Sequence, residues 1–173
     1  ALVGRGLLLG GAIGAALIIL QLPIIAFAFW LIDASPQVEH YAREYFGIRI
    51  WSMPAALAGY AIIGWYYGLR DARTPLIVQV VANALNIGLD FLFVFGFGWG
   101  VPGVAIASVI ASYFGLALGL WYVWRTLRTL PGEGHGPLLD PAALARMLSI
   151  NSDLVLRTFC VVSVLGLFMA KSA

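Results

Sequence analysis

Residues 75–108 read PLIVQVVANALNIGLDFLFVFGFGWGVPGVAIAS, and one acid, Asp90, is the sole Asp, Glu, Lys or Arg between Arg73 and Arg125. A run this long and this apolar exceeds the roughly 20 residues that one helix needs to cross hydrocarbon. Gly96, Gly98, Gly100, Pro102 and Gly103 punctuate it, so it divides into two spans joined by a tight external turn. Within the first span, Gln79, Asn83, Asn86 and Asp90 are spaced by four, three and four residues. At about 100° per residue that spacing keeps all four on one narrow helical face.

The rest of the chain agrees with a bilayer setting. Of 173 residues, 62% are hydrophobic and 10% charged, against about a quarter charged in soluble domains. No charge interrupts residues 6–32 or 50–69. The expected class is an all-α polytopic membrane helix bundle, with spans at about 6–32, 45–69, 75–96 and 103–125. Asp33 to Glu44 reads as a polar loop, and Pro23 as a kink in the first span. Gly59, Gly64 and Gly68 have the small-residue spacing that lets helices approach closely, and Pro75 falls at a favoured first helical position. Residues 129–148 form a Gly/Pro-rich cytoplasmic linker in which Asp140-Pro141 starts a short surface helix. Residues 149–173 begin a further span, and the chain reads as a piece of a longer protein.

Charge distribution orients the bundle, because Lys and Arg accumulate in short cytoplasmic loops. Arg5, Arg70, Arg73, Arg125, Arg128 and Arg146 fall on one side, Arg43 and Arg49 on the other. The first side is expected in the cytoplasm, together with the N-terminal end. The net charge of +2, with basic residues at span ends, leaves no nucleic-acid footprint. Cys160 reads as a small core residue.

An ionised Asp facing lipid costs about 2.5 kcal/mol or more, so Asp90 is expected to face a protein interior or a wet cavity. It lies about 9 to 12 Å inward of the external turn at 1.5 Å per residue, and Ser108, on the following helix, about 9 Å inward. An antiparallel hairpin therefore brings Asn86, Asp90 and Ser108 together in the outer half of the membrane. Carboxylate, amide and hydroxyl oxygens suit a hard cation such as Na⁺; the carboxylate can take up a proton instead. Gln79 and Asn83 extend the stripe, and Tyr60 on the second span is a further candidate for the same cavity. Interhelical hydrogen bonding explains the amides equally well, and interfacial packing the tyrosine.

His40 and His135 stand in expected loops without partners at metal-ligand spacing. No nucleophile elbow, phosphate-binding loop or HExxH occurs, so an enzyme is disfavoured. No cofactor is expected beyond Na⁺ or H⁺ as a coupling ion.

Four segments, in order, resemble a known family: Gly68-Leu-Arg-Asp-Ala-Arg-Thr-Pro75, Asn83-x-x-Asn-Ile-x-Leu-Asp90, Trp99-Gly-Val-Pro-Gly-Val-Ala-Ile-Ala-Ser108 and Asn151-Ser-Asp-Leu-Val-Leu-Arg157-Thr. They are similar to the DinF-like branch of the multidrug and toxic compound extrusion (MATE) transporters. The resemblance implies twelve helices in two lobes, this chain covering about helices three to seven. It implies an antiporter of a plasma or bacterial inner membrane that exports small organic, often cationic, compounds while Na⁺ or H⁺ enters. It implies a cation and drug site at Asn86, Asp90 and Ser108, where the family often has Thr in place of Ser108. The partners implied are substrate, bilayer and the remaining helices of the full-length protein. Two other classes stay open. A lipid-linked precursor flippase calls for a cationic cavity, and no Lys or Arg is expected at mid-membrane depth. A non-transporting scaffold subunit calls for a fully paired polar stripe.

Overall fold

The computed structural model describes residues 2–31 and 36–129. The predicted linker, the segment 149–173, His135 and Cys160 lie outside them. The described residues belong to a unit ending at Gly134, with residues 135–173 grouped as a second unit. All described elements are helical: α1 (Leu2–Ile19), α2 (Gln21–Leu31), α3 (Pro36–Arg49), α4 (Met53–Gly68), α5 (Arg73–Phe91) and α6 (Gly100–Thr129). A 3₁₀ turn at Ile50–Ser52 joins α3 to α4, and a π-helical turn at Leu92–Gly96 follows α5.

Prolines account for two of the interruptions. Pro23 has no N–H to give the carbonyl of Ile19, where α1 ends. Leu20 and Ile24 still donate to Ala16 and Leu20 at 2.9 and 3.1 Å, so the chain continues almost in register into α2. Pro54 likewise cannot reach the Ile50 carbonyl; the Met53 N–H closes on that oxygen instead, tightening the turn to 3₁₀.

The second span differs from expectation at its N-terminal end. Residues 36–44 are helical, and Pro36–Gly68 runs for 33 residues as one candidate membrane crossing. Pro36 opens α3, where a missing N–H costs nothing, and Glu39 accepts from Arg43 Nε at 2.9 Å one turn on. Such local pairing stabilises a polar helix that composition alone suggests is a loop. His40 accordingly sits exposed on a helix. Arg73–Gly96 and Gly100–Thr129 are also long and apolar enough to cross a membrane.

Close packing is carried by different glycines from those predicted. Gly6, Gly10 and Gly14 of α1 lie against α4, and a Cβ on Gly10 would stand 2.8 Å from the Leu57 carbonyl carbon. One on Gly6 would stand 2.9 Å from Ala61 Cβ, whereas Gly59, Gly64 and Gly68 have nothing within 4 Å among the described residues. Small residues at every fourth position open the groove that α4 fills. Beside this contact, Val3, Ile62, Tyr66 and Val123 form a core cluster across α1, α4 and α6. Tyr66, 1% exposed, shares a 2.9 Å hydrogen bond with the Thr126 hydroxyl.

Two turns complete the frame. Between α4 and α5, Asp71 Oδ1 accepts from the Arg73 and Thr74 N–H groups at 2.9 and 3.2 Å, and Oδ2 from the Thr74 hydroxyl at 2.6 Å. These bonds hold the Asp71 carboxyl below the usual carboxylate range. The helix thus starts two residues before Pro75, which occupies the third position, still one whose N–H would have no intrahelical partner. Between α5 and α6, Gly98 and Gly100 take left-handed φ of 69° and 57°. The Trp99 ring stacks on Phe93 with 5.1 Å between centroids.

Candidate functional site

Where α4, α5 and α6 meet they line a partly open cavity of about 210 Å³. Small side chains leave the space: Ala55, Ala56 and Gly59 from α4, Ala82 from α5, Ala111, Gly115 and Gly119 from α6. Polar groups project into it from each wall, namely Tyr60, Gln79, Asn83, Asn86, Ser108 and Ser112. The predicted stripe of α5 is therefore a cavity wall from Gln79 to Asn86, and Tyr60 faces it from α4.

Asn86 and Ser108 are brought together across the α5–α6 hairpin, the Asn86 amide donating to the Ser108 hydroxyl at 3.4 Å. That bond is long, hence weak. The Ser112 hydroxyl donates to the Ser108 carbonyl at 2.7 Å, turning Ser112 back onto its own helix. Gln79 donates to the Asn83 side-chain oxygen at 3.1 Å one turn apart on α5. Tyr60, 67% exposed, reaches the cavity without a hydrogen bond of its own among the described residues.

Asp90 stands apart from the cavity. It is on the same stripe one turn beyond Asn86 but does not line the cavity. The residue is partly buried, and its Oδ1 is buried with no hydrogen-bond partner among the described residues. Desolvated carboxylate oxygen without a donor is costly, and a cation or a proton relieves that cost. The π-helical turn begins two residues later; such turns are frequent beside functional sites. Among the described residues no three His, Cys, Asp or Glu converge to hold a metal ion. Any ion here would rest on one carboxylate and neutral oxygens.

One further wall residue is charged. Arg49, which charge distribution groups with the residues of the outer side, also lines the cavity with Asn86 and Ser108. Arg49 lies about 20 Å along the helix from Pro36 and about 28 Å from Gly68. Its spacing of eleven residues from Tyr60 returns close to the same helical face and was the available signal.

Three apolar helices of membrane-crossing length around a polar cavity define an integral membrane bundle. The MatE family profile matches residues 1–92, and the chain belongs to that family. DNA damage-inducible protein F of Escherichia coli (strain K12) is 39% identical over 169 residues, covering 92% of this chain and 36% of that protein. Protein DETOXIFICATION 43 of Arabidopsis thaliana is 34% identical over 69% of this chain and 22% of its own length. Probable multidrug resistance protein NorM of Thermotoga maritima is 30% identical over 51% of this chain and 20% of its own length. The matched part of the chain thus spans from about a fifth to little more than a third of the length of these relatives. No solved structure matches it significantly.

Proposed function

We propose that the full-length protein is a secondary active antiporter, exporting drugs or other organic compounds across a cell membrane in exchange for Na⁺ or H⁺. The observation that carries this reading is the Asn86–Ser108 pairing beside the unpartnered Asp90 oxygen on the same helical stripe. The printed names of relatives, a multidrug resistance protein among them, support efflux of organic compounds.

In this reading Asp90 takes up the coupling ion, with Asn86 and Ser108 as its oxygen partners. Occupancy favours one access state over the other, and the ion gradient biases their populations. Gln79, Asn83 and Tyr60 contact substrate in the cavity. The segment begins on the cytoplasmic side, the glycine-rich turn at residues 96–103 facing outward. An Asp90 oxygen without a partner among the described residues and an open cavity favour a transporter over a scaffold subunit. A pyrophosphate-bearing lipid would call for several cations, and Arg49 is the sole charged residue on the cavity wall among the described residues.

Asp90→Asn in the full-length protein tests the proposal. Cation-dependent efflux should be abolished with expression in the membrane unchanged; efflux at the wild-type rate would overturn it.

A further inference from the structure

We propose that the C-terminal end of α6 is a binding site for an anionic phospholipid headgroup, held by Trp121, Trp124, Arg125 and Arg128. None of the four lines the cavity between α4, α5 and α6, and the proposal does not rest on ion coupling or on any exported compound.

Depth is the first argument. α6 runs for 30 residues, about 45 Å at 1.5 Å per residue, which matches a bilayer's hydrocarbon core together with both headgroup layers. Its last turns therefore stand at headgroup level. Arg125 and Arg128 fall within the final five residues. Trp121 and Trp124 lie about one turn further in, where tryptophan settles at the membrane–water interface. The Tyr66–Thr126 bond ties the end of α4 to the same level, and Arg70 and Arg73 follow α4 directly, so positive charge gathers at this end of the bundle.

Facing is the second. At about 100° per residue, Trp121, Trp124, Arg125 and Arg128 share one side of α6, opposite the buried Gly119 and Val123 and the Thr126 that meets Tyr66. The two tryptophans are 48% and 52% exposed. One arrangement occurs twice: Arg125 stands over the Trp121 ring at 5.9 Å from its centroid, and Arg128 over Trp124 at 3.5 Å. Cation–π stacking uses the face of a guanidinium and leaves its N–H edge for oxygen acceptors. A phosphodiester supplies those oxygens and can take both arms of one fork, while the acyl chains lie along the indoles. Phosphatidylcholine offers the same phosphate but adds an ammonium that two neighbouring arginines repel. A headgroup of net negative charge is therefore the occupant that fits, and near a membrane surface each arginine favours it by about fivefold.

The test uses full-length protein in vesicles of equal parts phosphatidylcholine and phosphatidylglycerol, with bromine on the acyl chains of one lipid or of the other. Surface charge is then identical in both arms. Bromine quenches tryptophan at contact range, and the part of the quenching lost on Trp121→Phe/Trp124→Phe, made in each background, reports this site. In wild-type protein the quenching should correspond to an enrichment of phosphatidylglycerol over phosphatidylcholine of about fivefold or more. Arg125→Gln/Arg128→Gln should bring the enrichment below about twofold, whereas Arg70→Gln/Arg73→Gln, at the same end of the bundle, should change it by less than about twofold. Unchanged thermal melting in detergent shows that the variants are folded. Equal quenching by the two lipids in wild-type protein, which needs no arginine variant, overturns the proposal. So does quenching by neither, which would place another helix of the full-length protein over this face. An equal loss of enrichment in Arg70→Gln/Arg73→Gln would make the preference a property of the whole charged end and overturns the site as well.

Discussion

The side-chain amide of Asn86 on α5 donates to the hydroxyl of Ser108 on α6, 22 residues away in sequence and 3.4 Å away in space. This contact joins the polar stripe of one helix to the next across the glycine-rich turn. A hydroxyl is what Ser108 contributes, so Ser108→Thr should keep ion-coupled efflux near wild type. Ser108→Ala should lower it, because a lost hydrogen bond is worth about 0.5 to 1.5 kcal/mol, or roughly two- to tenfold. Transport in proteoliposomes against an imposed Na⁺ or H⁺ gradient reads both variants, and equal rates in all three proteins would deny Ser108 a ligand role.

The α1–α4 seam should be intolerant of bulk. Gly10→Leu places a side chain where even a Cβ meets Leu57 backbone at 2.8 Å, so about 1 to 3 kcal/mol of stability should be lost to overpacking. Gly64→Ala faces open space and should be neutral. Thermal unfolding in detergent distinguishes them: the first variant melts lower, the second with the parent.

At the other end of the bundle, Tyr66→Phe removes the 2.9 Å bond to Thr126 from a side chain that is 1% exposed. A loss of about 1 kcal/mol is expected. Thr126→Val should cost a similar amount, and the double variant less than the sum because both remove one interaction. Strict additivity in denaturant titrations would show that the two groups do not act as a pair.

Acid should loosen the α4–α5 turn through Asp71. Its carboxyl is held low by the Thr74 hydroxyl first and then by backbone N–H groups. A folded-state pKa below the unfolded one gives stability that is complete above about pH 3.9, the unperturbed Asp value, and is lost as pH falls through the folded value. Amide hydrogen exchange at Thr74, corrected for intrinsic rates, should therefore be pH-independent above that value and faster below it. Asp71→Asn should exchange faster than the parent above that value and converge with it in acid, and an acid-induced change of equal size in Asp71→Asn would rule this group out.

Much of the bundle was legible from residue order alone. Apolar runs and the glycine turn at residues 96–103 located the α5–α6 hairpin, and helical spacing placed Gln79, Asn83 and Asn86 on one face, which the cavity then occupies. Those inferences depend on local periodicity, which a helix preserves wherever it packs. The polar residues 36–44 misled because composition says little about a helix stabilised by Pro36 and the Glu39–Arg43 pair.

Other features depend on which helices meet, and residue order is silent about that. Gly59, Gly64 and Gly68 have the same spacing logic as Gly6, Gly10 and Gly14, but among the described residues it is the α1 set that lies against another helix, because α4 turns Pro54, Leu57, Ala58 and Ala61 toward it. In the same way a charge near a span end reads as a loop marker until the neighbouring walls are known, and the meeting of α4, α5 and α6 makes Arg49 part of a cavity. The sequence alone determined the membrane class, the hairpin and the polar stripe, since each is a property of one helix or one turn. Tertiary structure alone decided that Asn86 reaches Ser108, that Arg49 shares their cavity and that Asp90 stands just outside it. These relations arise from the mutual rotation of packed helices, which the whole set of contacts settles.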